Sequence, residues 1–301
     1  MITAATMVSL AGYGEASAAI QKIEAETNAD GNYNILFITT DQEHYFSEYP
    51  IGTSYKAREL LAELGTTFEK HYTCSNMSSS SRSVIYTGTH ITDTAMIDNT
   101  DFEWQGLLDN SLTTVGDMMR QAGYYTAYKG KWHMGDAGII PGTEAKLSNL
   151  EKYGFADWGG IDHIGSAKEG NETDPAIASE TVIWLDSTGK GLNENGQSFF
   201  LAVNMINPHD IMNYDTTGYQ SKFLTLSGAS EDDTYKKSYN EAAPSTWNYD
   251  LTSEDVPDAL RLYQKHWGLF AGTINDEVVW QDYQSYYYNC IQDNDNSLVI
   301  F

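Results

Sequence analysis

Two stretches carry apolar residues without a break, and several others space them at three and four. Asn34-Ile35-Leu36-Phe37-Ile38-Thr39-Thr40 and Ser198-Phe199-Phe200-Leu201-Ala202-Val203-Asn204-Met205 are continuous apolar runs. Such runs predict strands buried on both faces, as in a parallel sheet. Ala57, Leu60, Leu61 and Leu64 have helical spacing, and Gly65 is placed to close that helix. Val115, Met118, Met119 and Ala122 predict another, with Ser111 as cap and Gly123 as stop; its methionines read as core. Ile177, Thr181, Trp184 and Leu185 mark a third helix, and 260–270 and 278–291 two aromatic-rich ones. In these last two, His266 reads as packing and Tyr286-Tyr287-Tyr288 as a buried face. Residues 68–73 read as a short strand, and 136–173 and 213–255 as long loops, the second a candidate specificity loop. Asp293-Asn294-Asp295-Asn296-Ser297 lacks the glycine and distal Glu of a calcium loop and reads as a turn. Strands alternating with helices predict an α/β fold, with ligands at the C-terminal ends of the strands.

Charge then narrows the partners. The 301 residues hold 42 acidic and 17 basic side chains, a net charge of -25. Such a surface disfavours nucleic acid and anionic lipid. An anionic substrate would need local Arg, Lys or metal to reverse the field. The two cysteines, Cys74 and Cys290, read as free, and no apolar run is long enough to span a membrane. Ala16-Ser17-Ala18 looks like the end of an export signal, although no Lys or Arg precedes Lys22. Residues 1–32 are therefore expected to be a tail or a signal-peptide remnant, and the location periplasmic or secreted, otherwise cytoplasmic. There is no internal repeat, Gly-rich nucleotide loop, Cys/His zinc pattern or Gly-x-Ser-x-Gly elbow.

The candidate chemistry sits just after the predicted strands. Asp41-Gln42 follows the first, where a lone Asp can be a ligand or merely a helix cap. Met77-Ser78-Ser79-Ser80-Ser81-Arg82-Ser83-Val84-Ile85-Tyr86-Thr87-Gly88 sets hydroxyls and a guanidinium at a helix start, a combination that suits an oxyanion. Gly123-Tyr124-Tyr125-Thr126-Ala127-Tyr128-Lys129-Gly130-Lys131-Trp132-His133-Met134-Gly135 places Lys131 and His133 two apart. On an extended strand end these share a face, and together they can neutralise an ester oxyanion and move a proton. Asn207-Pro208-His209-Asp210 follows the second long apolar run.

These four segments together resemble the sulfatase family. Counting back four from Arg82 puts Ser78 at the position of the first signature's Cys or Ser, with Ser80 where the family has Pro or Ala. The segment 123–135 resembles the second signature nearly throughout. The resemblance covers roughly 33–301 and implies an alkaline-phosphatase-like three-layer α/β sandwich with a mainly parallel central sheet. It further implies hydrolysis of small-molecule or saccharide sulfate esters. Ser78 would be nucleophile and metal ligand, converted by a maturing enzyme to formylglycine or acting as the hydroxyl. Arg82 would hold it, Lys131 would pair with ester oxygens, His133 would assist proton transfer and His209 would serve the leaving group. Asp41 and Gln42 would join Ser78 on a divalent cation, calcium or else magnesium or manganese. Two alternatives stay open: a phosphonate or phosphodiester hydrolase on the same scaffold, and a non-catalytic anion-binding relative. In the family a late core strand runs into Thr-Ser-Asp-His-Gly, which completes the metal site. Leu298-Val299-Ile300-Phe301 resembles that strand, so the domain at 33–301 is expected to be incomplete, lacking its C-terminal part and binding its cation weakly.

Overall fold

The computed structural model describes residues 5–8, 32–135, 150–159, 161–215, 230, 232–271 and 274–301. Four strands form one sheet: β1 (Ala5–Val8), β2 (Ile35–Thr39), β3 (Tyr125–Gly130) and β4 (Phe199–Asn204), in the order β1-β2-β4-β3. β4 is parallel to both β2 and β3, and β1 adds an antiparallel edge to β2. Both long apolar runs thus become adjacent strands, and every residue of β4 is buried.

Side-chain alternation splits this run between two cores. Phe199, Leu201 and Val203 of β4 join Leu36 and Ile38 of β2 on one face. There they meet Ile177, Ala178 and Trp184 of α5 (Glu169–Trp184), Ala57 of α1 (Lys56–Leu64) and Leu298 of α8 (Glu277–Leu298). Phe200 and Ala202 point the other way, to Tyr86 of α2 (Ser78–Thr87) and to Tyr128, Trp132, Tyr153 and Phe155. Val115 and Met119 of α4 (Val115–Gln121) pack on this second core. Helices therefore cover both faces of the sheet, the three-layer α/β arrangement expected. Short helices α3 (Ile91–Thr94) and α6 (Lys190–Glu194), and α7 (Asp258–Ala271), complete the set among the described residues.

Several local expectations are corrected. Residues 68–73 form turns and irregular chain, with Phe68 77% and Tyr72 80% exposed; without a partner strand the aromatic pattern has nothing to pair with. In α1 only Ala57 is buried, while Leu60 and Leu64 face outward. The cap of α4 is Thr114 rather than Ser111. Its hydroxyl accepts from the Asp117 N–H, and Asp117 reaches back to the Thr114 N–H, a capping box. His266 is exposed on α7, not packed. The largest correction is at the end of the chain. Asp293–Ser297 is no turn and Leu298 starts no strand; both belong to α8. Polar residues continue this helix because each finds a buried partner. Asp295 accepts from the Ala57 and Arg58 backbones, Asn294 donates to Asp174, and Asp293 accepts from Tyr235 and Asn207. Tyr286, Tyr287 and Tyr288 are buried, and both cysteines are free, Cys74 exposed and Cys290 buried. Among the described residues no helix is long and apolar enough to cross a membrane.

Candidate active site

The two central parallel strands, β2 and β4, end side by side, Thr39 opposite Asn204. Asp41 leaves the end of β2 and α2 begins at Ser78, so the serine cluster does open a helix. Ser78 Oγ donates to Asp41 Oδ2 at 2.8 Å. The same oxygen takes Lys131 Nζ at 2.8 Å and Arg82 Nη2 at 3.0 Å. One carboxylate oxygen is therefore the meeting point of a hydroxyl and two cations.

One cation comes from a helix and the other from a strand end. Arg82 projects one turn into α2 and also donates through Nη1 to the Lys131 carbonyl at 2.9 Å and to Asn204 Oδ1 at 3.1 Å. Lys131 follows β3 directly and is fully buried. Gly130 makes this possible: its φ is +82°, and a Cβ there would lie 2.0 Å from the Asn204 carbonyl oxygen. Burial opposes ionisation of Asp41, but the charges of Lys131 and then Arg82 outweigh it and hold the carboxyl well below the usual range.

His133 is not on a strand end sharing a face with Lys131. Its φ of +53° turns the chain away from β3. Asp162 braces that turn by accepting from the Trp132 N–H at 2.8 Å and the His133 N–H at 2.9 Å. The imidazole Nε2 lies 3.0 Å from Asp101 Oδ2, and Nδ1 is buried with no hydrogen-bond partner among the described residues. His209 opens a short 3-10 helix after β4 and is buried, its Nδ1 likewise unpartnered. Burial first, then Lys131, depresses its pKa to about 3, so the ring is neutral. Gly165 lies against this ring; with φ +97°, a Cβ would fall 2.3 Å from it. The neighbouring Ile164 carbonyl accepts from Lys131 Nζ at 3.2 Å. The segment 162–165 thus touches Lys131, His133 and His209 and forms one wall around them.

The structure brings Asp41, Ser78, Arg82 and Lys131 into direct contact and sets His133 and His209 beside them. Gln42 is different: its φ is +69° and its carbonyl accepts from Tyr287 OH at 2.6 Å. The donors present do not make up a shell for a divalent cation. Asp41 is committed to two cationic side chains, Ser78 spends its proton on Asp41, and among the described residues no three His, Cys, Asp or Glu cluster as ligands. A hard cation such as calcium takes six to eight oxygens. Three further residues were missed by sequence reasoning. Asn204 Oδ1 accepts from Thr39, Arg82 and Tyr86, and a lone amide inside an apolar strand was a usable signal. Asp101 and Asp162 stand in loops with no pattern to mark them.

This geometry coincides with a family match. The sulfatase family model matches residues 33–299. The chain belongs to the sulfatase family. An arylsulfatase from Klebsiella aerogenes is 29% identical over 145 residues, 44% of this chain and 30% of that protein. Among solved structures, a 2-O GAG sulfatase superposes with TM-score 0.59 at 15% identity, over 91% of this chain and 54% of the other. The phosphonate monoester hydrolase SpPMH from Silicibacter pomeroyi gives 0.53 at 14%, over 90% and 57%. These likenesses establish the alkaline-phosphatase-like α/β fold of this sulfatase-family chain. It spans little more than half the length of those two solved relatives.

Proposed function

We propose that this sulfatase-family chain carries the ester-binding half of a sulfuric ester hydrolase, with Ser78 as nucleophile. The observation that supports this reading is the shared acceptor: Ser78 Oγ, Lys131 Nζ and Arg82 Nη2 all converge on Asp41 Oδ2. A hydroxyl oriented by a carboxylate, with two cations against it, is a nucleophile already in the field a sulfate oxyanion needs. In this reading Lys131 pairs with the ester oxygens and Arg82 fixes Ser78 and Asp41. His133, its Nε2 held by Asp101, assists proton transfer at the nucleophile, whose hydroxyl is held by Asp41, and neutral His209 donates an N–H hydrogen bond to the leaving-group oxygen. The family generally uses formylglycine and a divalent metal. Ser78 is the residue we assign to that modification, which makes a formylglycine-maturing enzyme a partner. No step is assigned to a cation, because the donors described do not compose its site. We further propose an exported protein, on the strength of Ala16-Ser17-Ala18.

The second reading is a phosphonate or phosphodiester hydrolase, and Asp41-Gln42 in place of a pair of aspartates favours it. Turnover of an aryl sulfate and an aryl phosphonate ester, by the native chain and by Ser78→Ala, tests both. Sulfate turnover exceeding phosphonate turnover, and lost in the variant, is the expected result. The reverse preference selects the second reading. Binding of both esters without turnover, in protein from the native host, selects an anion-binding relative. Peptide mass spectrometry of that protein should show the loss of two hydrogens at Ser78. An unmodified serine in active enzyme leaves the hydroxyl itself as nucleophile.

A further inference from the structure

The loop at 98–105 is fastened to the candidate site at three points. Asn99 Oδ1 accepts from the Ser79 N–H at 3.0 Å, next to Ser78. The Thr100 N–H donates to Ser79 Oγ at 3.2 Å, and Ser79 Oγ in turn donates to the His133 carbonyl at 2.5 Å. Asp101 holds the His133 ring. The loop is internally tied as well: Gln105 Oε1 accepts from the Ile97 and Asp98 N–H groups, both at 2.9 Å.

Two aromatic rings stand on this fixed loop, immediately beyond Asp101. Phe102 and Trp104 stack with centroids 4.5 Å apart and planes 9° from parallel. Trp104 Nε1 donates to Asp98 Oδ2 at 3.1 Å, which fixes the indole in its plane. Phe102 covers one face of the indole, yet Trp104 remains 70% exposed. A large apolar ring held rigid and left open keeps apolar surface in water that a ligand face can cover. Trp104 is three residues from Asp101, at most about 11 Å along the chain. Asp101 in turn meets His133 at 3.0 Å, so the platform stands on the loop that holds the site's imidazole.

We propose that Trp104, braced by Phe102, is the stacking platform for a pyranose that carries the sulfate ester. This rests on the reading of the site as a sulfate-ester site. The surroundings of the platform select the ring. Asp98 binds the indole N–H, and Asp101 and the exposed Glu103 lie on the same short loop. An aromatic face edged by carboxylate acceptors suits a ring with an apolar CH face and equatorial hydroxyl donors; an aryl group has no hydroxyls to offer. The same carboxylates, on a chain of net charge -25, repel further anionic groups beyond the one sulfate that Lys131 and Arg82 neutralise. The preferred substrate is accordingly a singly sulfated, otherwise neutral sugar, not a polysulfated chain.

Calorimetric titration of the native chain, Trp104→Ala and Trp104→Phe tests this with three probes. They are a monosulfated N-acetylhexosamine, nitrophenyl sulfate, and a heparin-derived disaccharide bearing several sulfates. Trp104 is exposed, so its replacement leaves the fold intact. The monosulfated sugar should bind the native chain more tightly than the disaccharide does. Trp104→Ala should weaken it about tenfold, and Trp104→Phe should restore most of the loss. Nitrophenyl sulfate should change by less than about threefold in either variant. Unchanged sugar affinity in Trp104→Ala overturns the platform. An equal loss for nitrophenyl sulfate assigns the face to aryl groups and overturns the sugar assignment, and tighter binding of the disaccharide overturns the charge argument. Inorganic sulfate separates the two levels of inference. If it displaces the bound esters and Trp104 proves irrelevant, only the platform falls. If no ester binds the native chain, the sulfate-ester reading falls and the platform with it.

Discussion

Asp41 and Asp174 are both buried aspartates near the ends of the parallel strands, and they behave in opposite ways. Asp41 meets two cationic side chains, and despite its burial the carboxyl is held well below its usual range. Asp174, on α5, is equally hidden but meets only neutral donors: the Ile206 N–H at 2.7 Å, the Asn207 N–H at 3.0 Å and Asn294 Nδ2 at 3.0 Å. Burial pushes it up to about 7. Asp210 repeats the pattern with the Gly170 and Asn171 N–H groups and stands at about 6. These two carboxylates clasp the start of α5 to the turn after β4, the turn that carries His209. They are architecture. A raised carboxyl in a cleft commonly marks function, yet here the depressed one sits with the nucleophile. What separates the two regions is the partner: neutral N–H groups satisfy a carboxylate without stabilising its charge as a cation does.

The largest effect should come from removing a cation at Asp41. Lys131→Met leaves Asp41 buried with Arg82 alone. Breaking such a pair costs about 3–5 kcal/mol, and the remaining Arg82 favours the lower end. Chemical denaturation should register that loss, and aryl-sulfate turnover should fall about a hundredfold or more. Adding Asp41→Asn should recover part of the stability and none of the turnover. Equal stability of Lys131→Met and the native chain would erase the contrast between the two regions.

The second effect is one of pH. Because the folded Asp174 stays protonated up to about 7, the folded chain keeps a proton that the unfolded chain loses near pH 4. Stability from this group is therefore fully present below about pH 4 and falls as pH rises toward about 7. Asp174→Asn removes the titration. Its stability-versus-pH curve should be flatter across that window, although the amide cannot accept all three donors and the variant is weaker at acid pH. A native curve already flat there, and unchanged by the substitution, would contradict the assignment.

How far the sequence could anticipate these two regions differs for the same reason. The runs at 34–40 and 198–205 read correctly as buried strands because continuous apolar composition has few other outcomes. Asp41, Ser78, Arg82 and Lys131 were legible as candidates because hydroxyl, carboxylate and cation stood where strands end. Their meeting at one oxygen was not, since that depends on a strand pairing joining residues far apart in the chain. The clasp was invisible. Asp174, Asn294 and Asp295 have the hydropathy of surface residues, and only mutual pairing buries them. That is why 293–297 looked like a turn and 298–301 like a strand, when the polar residues in fact prolong α8. His133 was misplaced for a local reason: its positive φ, held by Asp162, has no sequence marker at a non-glycine position.

The smallest effect sharpens the comparison from the architectural side. Asn294 is fully buried and gives Asp174 its one side-chain donor, at 3.0 Å. Asn294→Leu keeps the number of side-chain heavy atoms and removes that donor, together with the Oδ1 that accepts from Arg58 Nη2 at 3.0 Å. Asp174 retains its two backbone N–H groups, so at Asp174 the cost is that of one hydrogen bond to a carboxylate, about 1–3 kcal/mol when the group is ionised, and the lost Arg58 contact adds a part that does not follow the titration of Asp174. The loss should depend on pH with a definite sign. Without the donor the ionised form is less favoured, so the folded pKa of Asp174 rises further. At about pH 5 the folded group carries its proton and Asn294 contributes little through Asp174; at about pH 8 the native group is ionised and the missing donor is felt in full. Denaturant midpoints for the native chain and Asn294→Leu should therefore diverge as pH rises between those values, while aryl-sulfate binding at the Asp41 cluster stays the same. A gap that is constant with pH would mean that Asn294 acts only through packing and its bond with Arg58. The titration of Asp174 would then be untouched by the Asn294 donor on the helix that the sequence reading ended too early.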